Sequence, residues 1–323
     1  MSILIRNIYR RSLKKESLNI LTFALGDNIL YIAMMAEVFP EHHFWCTITN
    51  TNHWIYNIIP LPDNLTIVNN NSFLLYNNFD LIICHERLQN FDSYKKLSYE
   101  LHIPLICYEH SPPPSTMRKE DIVLTSKTHS IDLNVCINES LEDGWKLKFD
   151  HTIPYCIPLL DYSEDTPPKI LIIGDFGKQD YHIFKTIIDN VKIPVEIVGN
   201  NPQLSEPPKS WEDFLNYFYT STIFLTFNNP IINTIYLHYA MAAGHRILCS
   251  NESTLVKAIL TQSNSGTICN NVGEMIREIN DTTNEKEQRE NSISYITKTN
   301  SREQFCQKWN EIFQEFKNKV YTR

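Results

Sequence analysis

Glycine is scarce in this sequence. The chain of 323 residues holds eight, about a third of the usual share of ~7 %. Collagen-like and glycine-rich low-complexity chains are excluded. Each remaining glycine becomes a candidate for a tight turn or a close backbone approach. A basic surplus is also missing. The net charge is −8 and the pI about 5.8, which speaks against broad, non-specific nucleic-acid binding. No apolar run reaches the ~18 residues that a membrane span needs. The first residues lack an apolar core followed by a small-residue cleavage site, so no secretory signal is expected. No C-x-x-C pair occurs. The cysteines are scattered at Cys46, Cys84, Cys107, Cys136, Cys156, Cys249, Cys269 and Cys306. A zinc ribbon or redox motif is therefore not expected. They read as small buried hydrophobes in a reducing, cytoplasmic compartment. Neither G-x-G-x-x-G nor G-x-x-x-x-G-K-[ST] is present, which speaks strongly against the dinucleotide oxidoreductases and P-loop NTPases.

What is present is an ordinary globular composition, 42 % hydrophobic and 20 % charged, at a length suited to two domains. Short apolar runs alternate with amphipathic stretches. Strands are expected at Leu18 to Ala24, Phe44 to Ile48, Leu81 to Cys84, Pro104 to Tyr108 and Asn134 to Ile137. Asp161 to Pro168 is polar, acidic and ends in two prolines, a linker signature. The rhythm then restarts with strands at Lys169 to Ile173, Val195 to Val198, Ile223 to Thr226, Arg246 to Cys249 and Gly266 to Cys269. Helical spacing fills the intervals, ending in a long helix from Ser301 to Tyr321. This alternation predicts parallel sheets covered by helices. The expected organisation is an N-terminal α/β domain over 1–160, a linker over 161–168, a C-terminal α/β domain over 169–300, and a helix over 301–323 that crosses back to the N-domain. Sheets of this kind bind ligands at the carboxyl ends of their strands. In a two-domain version the natural site is the cleft between them.

Several features have bland readings. Arg6, Arg10, Arg11, Lys14 and Lys15 crowd the N-terminus. They form either a solvated arm or a patch for peripheral contact with anionic lipid or a phosphate-bearing polymer. His42 and His43 are adjacent, so in a strand they point to opposite faces and do not share a metal. Trp211 and its neighbouring Phe and Tyr residues suit a helix core better than a carbohydrate platform. Abundant Asn and Ile, with Lys outnumbering Arg, suggest an AT-rich coding genome and allow a viral source.

The strongest local signal is Asn228 to Cys249, NNPIINTIYLHYAMAAGHRILC. It reads strand, loop, helix, small residues, glycine, strand. The helix begins near Asn233 and Thr234, where free amides and the positive dipole end suit an anion such as a diphosphate. Gly244 suits a left-handed helix end.

This segment resembles the donor-binding helix of the GT-B glycosyltransferases, specifically the group 1 glycosyl transferases. Ala240-Met241-Ala242-Ala243-Gly244 matches the second half of their motif. The motif's two Glu positions fall on Ile231 and Tyr239. Lys169 to Lys178 resembles the first C-domain strand and loop. Lys178 matches the family's diphosphate-clamping Lys, and Asp175 stands where its Arg usually is. Val195 to Pro202 resembles the stretch near the nucleobase. Pro104 to His110 resembles the strand that carries a family His beside the transferred sugar. The text from Leu25 to Glu41 is also similar to the first helix of the heptosyltransferases, another GT-B family.

The resemblance implies two Rossmann-like parallel-sheet domains facing across a cleft. It implies transfer of a sugar from a UDP- or GDP-type donor to an acceptor, with no metal and no cofactor, and with retained anomeric configuration. It makes His110 the catalytic candidate. Gly174, Lys178, Gly199, Asn200, Asn233, Thr234, Ile235 and Tyr239 become donor-binding candidates, and Gly26 and Asp27 acceptor-binding candidates. Gly144 and Gly273 have no place in that site. The acceptor is a glycan, a lipid or a modified DNA base. Two other readings stay open: a viral or phage DNA-base glycosyltransferase, and a degenerate GT-B protein that binds a sugar nucleotide or glycan without transfer. The missing carboxylates at Ile231 and Tyr239 favour the latter.

Overall fold

The computed structural model describes residues 17–24, 28–48, 54–68, 78–85, 87, 91–114, 116–126, 131–161, 165–174, 176, 180–199, 205–227, 233–281 and 285–320. The chain divides into two compact units. One takes Met1–Pro154 with Glu303–Arg323, the other Tyr155–Arg302.

The first unit runs β1 (Asn19–Ala24), α1 (Ile29–Val38), β2 (His43–Ile48), α2 (Ile55–Ile58), β3 (Leu65–Ile67), β4 (Leu81–His85), α3 (Phe91–Leu101), β5 (Leu105–Glu109), α4 (Lys119–Ser126), β6 (Leu133–Cys136), α5 (Leu141–Trp145) and β7 (His151–Thr152). Its sheet has the order β3-β2-β1-β4-β5-β6-β7, and every pairing is parallel. The chain starts at β1, winds outward to β3, then returns to the other side of β1 with β4. That reversal between β1 and β4 is the switch point, where ligands of such sheets bind at the strand ends. All five residues of β4 and of β5 are buried, as expected for inner parallel strands covered on both faces. β3 and β7 are too short to stand out in the sequence.

The second unit runs β8 (Ile170–Gly174), α6 (Asp180–Asn190), β9 (Val195–Gly199), α7 (Trp211–Tyr219), β10 (Ile223–Thr226), α8 (Asn233–Ala242), β11 (Arg246–Ser250), α9 (Thr254–Ser263), β12 (Gly266–Cys269), α10 (Val272–Ile279) and α11 (Glu285–Thr299). Its sheet is parallel throughout, in the order β12-β11-β10-β8-β9. The switch point here lies between β8 and β10. All five strands follow the expected runs. α11 does not stand out in the sequence, because EKEQRENSISYITKT carries no clear apolar stripe. Ile296 and Ser292 are nonetheless buried, and Asn291 donates to the Asn264 carbonyl at 3.0 Å.

Segment 155–160 joins the second unit through its backbone. Asn300 Nδ2 donates to the Tyr155 carbonyl at 2.8 Å, and the Ile157 and Leu160 amides donate to the Asn300 and Ala242 carbonyls. The closing helix α12 (Arg302–Val320) packs into the first unit. Trp309 is fully buried and donates from Nε1 to the Tyr31 hydroxyl at 2.9 Å. Phe313 meets Phe39 edge-on at 5.2 Å between ring centres. Lys308 reaches the Thr152 carbonyl at 2.8 Å.

Seven of the cysteines are buried and Cys306 is partly so, all with free thiols. His42 and His43 diverge as adjacent strand-edge residues should. His42 stacks on Phe39, while His43 Nε2 meets Thr66 Oγ1 at 3.0 Å. Among the described residues, no helix is long and apolar enough to cross a membrane.

Candidate functional site

Two groups of polar side chains collect at the carboxyl ends of β4 and β5. Successive strand residues point to opposite faces, so the groups lie on opposite sides of the sheet. On one face, Cys107 and Glu109 look towards the apolar cluster of Leu21, Phe23, Ile82 and Cys84. Glu109 Oε1 accepts from Arg87 Nε at 2.6 Å and from the Cys107 thiol at 3.2 Å. Arg87 also donates to Asn134 Oδ1. Neither partner of this ion pair is solvent-exposed. It pins the segment after β4 onto β5 and β6. Glu109 Oε2 and Arg87 Nη1 have no hydrogen-bond partner. Burial pushes the Glu109 carboxyl up, and the Arg87 charge opposes that shift.

On the other face stand His85, Tyr108 and His110. His85 Nδ1 and His110 Nε2 are 2.7 Å apart, a direct imidazole–imidazole hydrogen bond. Tyr31 of α1 lies 5.2 Å from His110 and 4.6 Å from Tyr108 between ring centres. The Tyr108 hydroxyl donates to the Ile153 carbonyl at 2.5 Å. Both histidines are buried. Desolvation lowers His85 to about 3. Burial, with a smaller contribution from His85, holds His110 well below the usual imidazole range. Both rings are therefore neutral at pH 7.

The segment after His110 is fixed by α5. Trp145 Nε1 donates to the Ser111 carbonyl at 2.8 Å. A Cβ on Gly144 would stand 3.1 Å from Pro113 Cδ. Gly144 thus lets α5 pass close over the prolines that follow His110, a role the sequence did not suggest.

In the second unit, β8 and β9 end in register on Gly174 and Gly199. Gly199 has φ 151°, and a Cβ there would lie 1.8 Å from the Gly174 carbonyl oxygen. Only glycine allows this approach. Beyond the switch point, α8 starts at Asn233. Thr234, in its first turn, is 1 % exposed, and its Oγ1 has no hydrogen-bond partner. The same is true of Thr226 Oγ1 at the end of β10 and Ser250 Oγ at the end of β11. Unpaired buried hydroxyls are unusual, and these three all stand at the carboxyl side of one sheet.

α8 closes as a Schellman turn. Gly244 has φ 67°, its amide donates to the Met241 carbonyl, and the His245 amide donates to that of Ala240. His238 Nδ1 donates back to the Thr234 carbonyl at 2.5 Å.

No family model matches the chain, and no curated protein matches it. Solved structures do. The fold is that of the GT-B glycosyltransferases. Sucrose-phosphate synthase from Thermosynechococcus elongatus superposes with a TM-score of 0.70 at 11 % identity, covering 92 % of this chain and 98 % of that one. A glycosyltransferase from Rickettsia africae gives 0.64 at 12 % identity, covering 94 % and 99 %. WaaG, a glycosyltransferase involved in lipopolysaccharide biosynthesis, gives 0.59 at 10 % identity, covering 90 % and 98 %.

Within this GT-B fold, Gly174, Gly199, Thr234 and Ile235 sit at or beside the strand ends of the second sheet. Ile235 is buried. Tyr239 lies a turn further along α8, among the rings of Trp211, Phe214 and Phe218. Asn233 is placed by its backbone only. Gly26, Asp27, Lys178 and Asn200 fall outside the described residues, as do Asp175, Ile231 and the basic N-terminal group. His85, Arg87 and Glu109 were not singled out from sequence. His85 carried the same signal as His110, a histidine ending an apolar run. The strand expected at Leu81 to Cys84 stopped one residue before it.

Proposed function

We propose that this protein is a glycosyltransferase that moves a sugar from a nucleoside-diphosphate donor to an acceptor. The observation that carries the reading is the carboxyl side of the second sheet. The first turn of α8 presents backbone amides and a positive dipole end, and Thr234 Oγ1 stands there buried and unpaired. A diphosphate oxygen would satisfy both. Gly199 meets the Gly174 backbone at the neighbouring strand ends with no side chain between. Lys178, close after β8 in the sequence, supplies a counter-charge in this reading. Amides, hydroxyl and Lys178 would together stabilise the negative charge that develops on the departing diphosphate. No metal is required for that step. His110, in the first unit, is the group assigned to the transferred sugar. Retention of anomeric configuration follows from the group 1 resemblance.

A second reading is a protein that binds a sugar nucleotide without transferring the sugar. It is favoured by Tyr239, an aromatic residue packed among rings where the family motif has a ribose-holding Glu.

One experiment separates the two. The protein is titrated with UDP and GDP by calorimetry, then incubated with UDP- and GDP-sugars while free nucleotide is followed. The transferase reading expects binding and slow donor hydrolysis, and faster release with an acceptor. Binding without hydrolysis selects the second reading. The absence of binding to either nucleotide refutes both.

A further inference from the structure

The His85–His110 contact has a chemical consequence. Both rings are buried, and burial favours the neutral form of each. Two neutral imidazoles 2.7 Å apart share one proton along the Nδ1···Nε2 line, and there are two ways to arrange it. If His110 donates from Nε2, then His85 must carry its own proton on Nε2. That nitrogen has no hydrogen-bond partner, so a buried N–H donor would be orphaned. If His85 donates from Nδ1, its Nε2 is a bare lone pair, and no donor is orphaned. Orphaned buried N–H groups are rarer than under-satisfied acceptors. The second arrangement is the one the geometry selects.

We propose that His85 is a positioning residue: its Nδ1–H donates to His110 Nε2 and holds His110 in the tautomer that carries its proton on Nδ1. The neighbours support a fixed pair. Tyr31 meets both rings edge-on, at 5.6 Å from His85 and 5.2 Å from His110. Tyr108 packs on His110 at 4.5 Å and on His85 at 5.8 Å. Trp309 of α12 holds the Tyr31 hydroxyl. The two rings are nearly parallel, 25° apart, and enclosed by aromatic surface.

The functional consequence rests on the transferase reading. With its Nε2 lone pair engaged, His110 serves as a hydrogen-bond donor through Nδ1. With Nε2 engaged by His85 and Nδ1 protonated, it does not act as a general base. His85 then matters for orientation and tautomer without touching substrate.

The test uses the full-length protein labelled with 15N-histidine. Two-bond 1H–15N correlations distinguish a protonated from a bare ring nitrogen, and His110→Gln identifies the His110 signals. The expected wild-type pattern is a protonated Nδ1 and a bare Nε2 on His110. In His85→Phe, which keeps a ring of similar size, the tautomer with the proton on Nε2 should appear. In His85→Asn the side-chain amide stands near the former Nδ1, and the wild-type pattern should return. Donor turnover should fall about tenfold or more in His85→Phe and recover to within about threefold in His85→Asn, the scale of one buried hydrogen bond. Donor KM should stay nearly constant. A wild-type His110 protonated on Nε2 overturns the proposal, as does an unchanged tautomer in His85→Phe. If His85→Phe does not fold, the wild-type and His85→Asn spectra decide. If the tautomer is as stated but no nucleotide sugar is ever turned over, the transferase reading fails and the assignment of His85 stands.

Discussion

Thr234→Val separates a structural hydroxyl from a ligand-binding one, because the two roles predict changes of opposite sign. The side chain is 1 % exposed and its Oγ1 has no partner. Burying an unpaired hydroxyl costs about 1–3 kcal/mol. Replacing it with a methyl of similar size removes that cost in the free protein. The ligand-free variant should therefore be as stable as wild type or more so, by up to ~1–2 kcal/mol on the same scale. In melting temperature that is a rise of roughly 2–8 °C for a unit of this size. The opposite holds with a diphosphate bound. A hydrogen bond from Oγ1 to a charged oxygen is worth about 1.5–3 kcal/mol. At 1.4 kcal/mol per decade its loss weakens nucleotide binding by about ten- to a hundredfold. The assay is one thermal melt and one calorimetric titration with the nucleotide that wild type binds. A free variant that melts lower than wild type would show that Oγ1 does have a partner. An unchanged nucleotide Kd would show that the hydroxyl does not face the diphosphate.

Two further outcomes bear on the scaffold. Arg87→Met leaves the Glu109 carboxylate buried without its counter-ion, so denaturant unfolding should show a loss of about 3–5 kcal/mol. Combining it with Glu109→Leu should recover much of that, and a single-variant loss below about 1 kcal/mol would refute the buried-pair assignment. The pH profile of stability should fall on the acid side. Desolvation lowers His238 and His245 to about 4, opposed by bonds to the Thr234 and Phe218 carbonyls, against an ordinary value near 6.5. Between those values the unfolded chain binds more protons than the folded one. Stability is therefore complete above pH ~6.5 and is lost as pH drops towards 4, by up to about 1.4 kcal/mol per histidine per unit. A flat unfolding profile over that range would contradict the burial of both rings.

Why the sheets were legible and the site only in part comes down to what each leaves in the sequence. An inner parallel strand is buried on both faces, so LIIC, PLICY, KILII and IFLT are apolar without alternation. That signal is local. It fails for β3 and β7, which have three and two residues, and it slips by one at β4. The site, by contrast, is built from residues that meet only because the strands are ordered as they are. His85 and His110 are 25 residues apart and meet because β4 pairs with β5. Arg87 reaches Asn134 across β5, the strand between β4 and β6. Neither contact leaves a spacing that a one-dimensional reading can detect.

Glycine is the intermediate case, and it shows where composition stops being informative. The scarcity pointed correctly to Gly199, where a Cβ would meet the Gly174 carbonyl at 1.8 Å, and to Gly244, which holds φ 67° at the end of α8. Both needs are set by the local backbone, so a lone glycine after an apolar run carries the information. Gly144 has no role legible in the sequence, because its reason is tertiary: the prolines after His110 pass beneath α5. The same division runs through the polar residues. Thr234 is visible as the start of a helix, while the absence of any partner for its hydroxyl exists only in three dimensions. That absence is what turns an ordinary helix start into a candidate phosphate contact. Thr234 therefore points to a phosphate more strongly than the matched motif letters of Ala240 to Gly244, whose small side chains and Schellman turn are accounted for by packing alone.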